Sequence, residues 1–148
     1  MSNRRSRKKM YSWMLTSVIT VAMTAVAATS HAAEETGTEQ AAQGGKLYAD
    51  HCAKCHGAEG QGTKKAPPLV GKDALPLDPR PSQKVRKGQF HTAQDVAQFA
   101  STKMPPKKPG SLTSEQYYDI IAFALKANGV DVSNKKIDAT TTAAIKLH

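Results

Sequence analysis

The chain has 148 residues, a formal net charge of +9 and 5% aromatic side chains. That length suits one domain, and so few aromatics leave little material for a large core. The charge does not mark a nucleic-acid binder: Arg4, Arg5, Arg7, Lys8 and Lys9 crowd the start, and no later basic run is interleaved with aromatics.

Those five cations read as the n-region of a signal peptide over residues 1–32. An apolar stretch runs from Tyr11 to Ala28, and Ser30-His31-Ala32 offers small residues for cleavage after Ala32. Ser12, Thr16, Ser17, Thr20 and Thr24 dilute the stretch, so no stable membrane insertion is expected; a retained anchor is the alternative. After cleavage 16 Lys and Arg face 12 Asp and Glu, a net of +4. Residues 33–40 are polar and read as a flexible leader, 41–129 as the folded domain and 130–148 as a C-terminal extension.

From Ala42 to Cys55 the residues Gly44, Leu47, Tyr48, His51 and Cys52 recur at helical spacing. This helix runs into Cys52-Ala53-Lys54-Cys55-His56, which uses both cysteines of the chain. C-x-x-C-H is the attachment pattern of a c-type haem. Each thiol can add to a vinyl group and form a thioether, and the next imidazole is placed to ligate the iron. Three rival readings fare worse. A thioredoxin-like pair needs a preceding strand, a zinc site needs two further ligands, and a disulfide three positions apart staples almost nothing. Haem attachment after export points to the bacterial periplasm.

Glycines and prolines punctuate residues 57–81, and no alternating strand pattern is present, so this stretch is a loop. A second helix is expected from Thr92 to Thr102, with Asp95 in its first turn. A third starts at Thr113 with Gln116 completing a capping box and stops at Gly129. Its apolar face includes Tyr117, Ile120, Ile121, Phe123, Ala124 and Leu125. Between these two helices stands Met104, the one methionine outside the export segment, followed by Pro105-Pro106. It is the candidate sixth ligand, with His91 as runner-up; a core-filling methionine is the bland reading. His51 is too near the attachment motif to reach the far face, and His148 is expected to be solvated. With His56 and Met104 both on the iron no site remains for dioxygen or peroxide, so one-electron transfer is expected and catalysis is not. An enzyme or gas sensor with an open sixth site is the alternative.

Gly44…Tyr48…Cys52-Ala53-Lys54-Cys55-His56-Gly57, Pro67-Pro68-Leu69-Val70-Gly71, Met104-Pro105 and the closing helix Tyr118–Phe123 together resemble the class I c-type cytochromes. The resemblance implies an all-α cytochrome c fold, with three to five helices around one covalently attached haem c. It implies that the first and last helices cross near right angles, with Gly44 allowing close approach and Tyr48 packing on Phe123. It also implies that a proline carbonyl accepts from the axial histidine. Pro67 matches that element, Pro68 is the adjacent alternative, and Leu69 would pack on the haem face. There is no tryptophan after Trp13 to hold a propionate; Arg80, Lys84 and Arg86 are the candidates. The segment Lys107–Asn128 is similar to cytochromes that serve periplasmic dehydrogenases. The expected partners are therefore protein redox partners, a periplasmic dehydrogenase or a terminal oxidase or reductase, met by a monomer. Lys54, Lys64, Lys65, Lys103, Lys107 and Lys108 flank the expected haem edge and could steer an acidic partner.

Overall fold

The computed structural model describes residues 36–148; the signal peptide, its cleavage site and residues 33–35 lie outside the described residues. Thr36 caps α1 (Gly37–His51): its hydroxyl accepts the Glu39 N–H at 3.4 Å, and the Glu39 carboxylate accepts the Thr36 N–H at 2.9 Å. The exchange satisfies two backbone donors that a helix start otherwise leaves without partners. Helix thus begins inside the stretch expected to be a flexible leader over 33–40, and the expectation is corrected from Gly37 onward. The physical reason lies far along the chain. Gln40 is fully buried; its Oε1 accepts the Ile137 N–H at 2.6 Å and its Nε2 donates to the Ile137 carbonyl at 3.2 Å.

The single helix expected up to Cys55 breaks at Cys52, and a short α2 (Ala53–His56) carries the rest of the motif. After the loop, α3 (Ala93–Lys103) starts where the Asp95 carboxylate accepts the N–H groups of Thr92 at 2.8 Å and His91 at 3.0 Å. Helix α4 (Ser114–Ala127) opens with the expected capping box between Thr113 and Gln116 and stops before Gly129. A 3₁₀ turn (Thr142–Ala144) follows. Among the described residues the only β-type pairing is an isolated bridge between Thr92 and Lys146, and no helix is long and apolar enough to cross a membrane.

The dominant packing is α1 against α4. At their contact a Cβ on Gly44 would lie 1.8 Å from the Asp119 carbonyl oxygen, so only glycine lets the two backbones approach this closely. One turn on, the Tyr48 and Phe123 rings meet with centroids 5.0 Å apart, as the resemblance implied. The core continues through Ile121, Ala122 and Leu125 of α4, Ala93, Val96 and Ala97 of α3, and Phe90 and Leu75 of the loop. Val132 and Ile137 join it, so the 130–148 extension folds into the same core rather than standing apart.

Candidate cofactor site

A cavity of about 390 Å³ opens between α2, the loop, α3 and α4. Cys52, Cys55, His56, Pro67, Leu69 and Met104, all expected site residues, line it. The sequence places them over more than fifty positions; the fold gathers them.

His56 is fixed from below. Its Nδ1 lies 2.8 Å from the Pro67 carbonyl oxygen. A carbonyl only accepts, so Nδ1 carries the proton and the lone pair of Nε2 is left for a metal. Burial lowers the proton affinity of His56, against the pull of the Pro67 bond, which favours the neutral ring a ligand needs. The loop delivers Pro67 by doubling back: Gly62 N–H donates to His56 O at 2.7 Å and Leu69 N–H donates to Gly60 O at 2.7 Å. Between the two prolines, geometry selects Pro67. The Tyr48 hydroxyl, donating to Gly57 O at 2.6 Å, ties α1 to the end of the motif.

Cys52 and Cys55 are half-buried and form no disulfide. Burial and the neighbouring Cys55 push the Cys52 thiol up to about 11. Among the described residues no group of three or more His, Cys, Asp and Glu side chains could hold a metal ion.

Met104 is the C-cap of α3, half-buried at the cavity wall. Its carbonyl accepts the Tyr117 hydroxyl at 2.6 Å, which pins the residue to α4, and the following Met104–Pro105 peptide is cis. The runner-up is displaced: His91 does not line the cavity, and its exposed ring meets the Gln89 side-chain carbonyl at 3.0 Å. His51 stands at the cavity margin.

Of the three propionate candidates, Arg86 is the buried one, 3% exposed. Its guanidinium donates to the carbonyls of Pro76 (2.8 Å), Leu77 (3.4 Å) and Asp78 and covers the Phe90 ring at 3.9 Å. Burial lowers its pKa, Asp78 opposes that, and nearby Arg80 adds to it. Arg80 is itself fixed on the Asp73 carbonyl at 2.9 Å, whereas Lys84 is exposed. The six lysines of the expected docking ring are all exposed.

The residues fit a covalently held porphyrin. The lining is largely apolar, and two thiols, one oriented imidazole, a thioether residue and one buried cation, Arg86, stand in it. Sequence reasoning missed the rest of the lining. Phe90, Val96, Phe99 and Leu112 also face the cavity, and no local pattern separates them from ordinary core residues. Tyr117 was read only as an apolar-face residue; its hydroxyl contact leaves no sequence signal.

This helical fold and this cavity define a c-type cytochrome domain. A family model described as cytochrome c oxidase, cbb3-type, subunit III matches residues 39–123, more than half of the chain, and the chain belongs to that family. A thiosulfate dehydrogenase of Stutzerimonas stutzeri (strain A1501) is 33% identical over 87 residues, which is 55% of this chain and 25% of that protein. The crystal structure of the sulfane dehydrogenase SoxCD from Paracoccus pantotrophus superposes with a TM-score of 0.55 at 27% identity. That match covers 76% of this chain and 58% of the other. The chain thus spans a quarter of its curated relative and little more than half of the structural one. The family carries covalently bound haem c, and the protein is an electron-transfer haem protein.

Proposed function

We propose that this chain is a periplasmic carrier of single electrons, with one haem c attached through Cys52 and Cys55 and ligated by His56 and Met104. When bound, the haem supplies a one-electron couple at its iron; everything else falls to the chain. The observation that carries the reading is the His56–Pro67 pair at 2.8 Å, in a cavity that also exposes both thiols and Met104. Pro67 fixes the imidazole plane and makes Nε2 the better donor. Tyr117 holds the Met104 backbone, so a soft sulfur donor is offered with little freedom to leave. Leu69, Val96 and Phe99 keep the cavity apolar, and Arg86 supplies the buried positive charge that a propionate would meet.

Two protein ligands on the iron leave no place for a substrate, so the chain carries electrons rather than catalysing a reaction. Its partners are redox proteins. The named relatives oxidise thiosulfate and sulfane sulfur, so we assign the donor to the periplasmic dehydrogenases of sulfur compounds, with a terminal oxidase or reductase downstream.

The test is an optical and mass measurement on purified holoprotein from a host able to mature c-type cytochromes. The expected result is a mass heavier than the processed chain by one haem and a ferric sulfur-to-iron charge-transfer band. Met104→Ala should lose the band and lower the potential by a sizeable share of the ~0.8 V over which axial ligands set haem potentials. A ferric wild type without the band, whose ferrous form takes up carbon monoxide readily, would move the reading to an enzyme or gas sensor.

A further inference from the structure

Leu75 is the one non-glycine residue with positive φ (43°) among the described residues. Such a conformation is strained for an L side chain and persists only where the surroundings impose it. Its side chain is buried and serves two spaces: it lines the cofactor cavity, and it lines a small apolar pocket with Val96, Ile121 and Leu125. Leu147 closes that second pocket. The adjacent His148 places Nε2 2.9 Å from the Leu75 carbonyl oxygen. The carbonyl can only accept, so the ring nitrogen donates. The ring, expected to be solvated, is exposed but committed to this bond.

Residues 145–148 also hold α3. The Ile145 carbonyl accepts the Ala93 N–H at 2.9 Å, one of the donors at the helix start, and Leu147 N–H donates to the His91 carbonyl at 2.9 Å. Helix α3 ends at Met104. Residues 145–148 therefore touch two parts of the molecule that line the cavity: the loop through Leu75, and the helix that delivers Met104. They lie beyond the segment that the family shares, residues 39–123.

We propose that residues 145–148 are a positioning strap: Leu147 and His148 hold Leu75 in its strained conformation while Ile145 anchors α3, which together keep the wall beside Met104 closed. None of the four lines the cofactor cavity, so the strap positions the site without forming it. Its role in tuning the iron rests on the His56/Met104 reading. Release of the strap lets the wall open, and the rate at which an outside ligand displaces Met104 rises with the open population.

The experiment compares holoprotein variants His148→Ala, His148→Gln and Leu147→Ala, reading carbon monoxide association to the ferrous form and the midpoint potential. Loss of one hydrogen bond should raise the association rate about fivefold in His148→Ala. Leu147→Ala should raise it further, about tenfold, with potentials falling in the same order. The Gln variant, whose amide can donate to the same carbonyl, should return both readings toward wild type. If both Ala variants stay within about twofold of wild type while melting at lower temperature, the tail is merely structural and the proposal fails. If Leu147→Ala does not fold, the exposed His148 decides alone. Failure of the ligand reading is seen separately, as a wild type without the charge-transfer band. In that case amide exchange over Leu75–Phe90 still decides the strap: faster exchange in His148→Ala supports it, equal exchange overturns it.

Discussion

The two sides of the cavity are built on different physics. On the attachment side, α1 crosses α4 at Gly44 and the wall is set by helix packing, with the Tyr48–Phe123 contact beside it. Elsewhere in the lining, residues 72–90 have no helix or strand of their own. They are held by side chains that reach for backbone carbonyls: Arg86 to Pro76, Leu77 and Asp78, Arg80 to Asp73, and His148 to Leu75. Packing is set by shape between helices far apart in sequence, whereas these bonds are directional, and all but the one from His148 join residues within ten positions. The packed half sets where the attachment motif stands, and the stitched half sets much of the remaining cavity lining.

The largest expected effect breaks the packed half. Gly44→Val puts carbon where the Asp119 carbonyl already sits, 1.8 Å from an ideal Cβ. A loss of more than about 4 kcal/mol, or no folded holoprotein, is expected in a thermal melt. A variant that melts like wild type would show that α1 and α4 do not cross here.

Next comes the stitched half. Arg86→Met keeps the volume but strips the carbonyls of Pro76, Leu77 and Asp78 of their donor. A cost of about 2–4 kcal/mol is expected in denaturant titration. Local amide exchange should rise over 72–90 before it rises in α1. Equal loss in both regions would erase the distinction between the two halves.

Tyr48→Phe sharpens the comparison from the packed side. It retains the ring against Phe123 and removes only the 2.6 Å bond to Gly57 O. About 1–2 kcal/mol should be lost, with the haem still attached. A cost near that of Tyr48→Ala would mean that the hydroxyl, and not the ring, holds the crossing.

The smallest effect is at the start of α3. Burial pushes the Asp95 carboxyl up, but the hydrogen bonds from Thr92 and His91 outweigh it and hold the group below its ordinary value. A folded pKa below the unfolded one gives stability that is present above pH ~3.9 and is lost as pH falls through the lower folded value. Asp95→Asn should cost about 0.5–1 kcal/mol at neutral pH and flatten the acid limb of the stability curve. An unchanged acid limb would assign that slope to other carboxylates.

The legible part of this molecule was the part written locally. Cys52-Ala53-Lys54-Cys55-His56 names its chemistry within five positions, Thr113 and Gln116 announce a helix start three residues apart, and Met104 stands out as the lone methionine after the export segment. These signals survive without a fold because each is a spacing along one stretch of chain. Pro67 against Pro68 could not be separated that way, since both offer a carbonyl and only the path of the loop decides which lies 2.8 Å from His56.

The sequence alone determined the haem-attachment chemistry, the three main helices and the candidate ligand pair, because motif spacing and helical periodicity are local properties. Only the tertiary structure decided that helix begins at Gly37, that Arg86 is the buried cation, and that the last four residues lean on Leu75. Gln40 and Ile137 are 97 positions apart, and His148 and Leu75 are 73. Polar side chains that bond to distant backbone leave no period in the sequence, since any residue's carbonyl can accept and only the folded path brings one within reach.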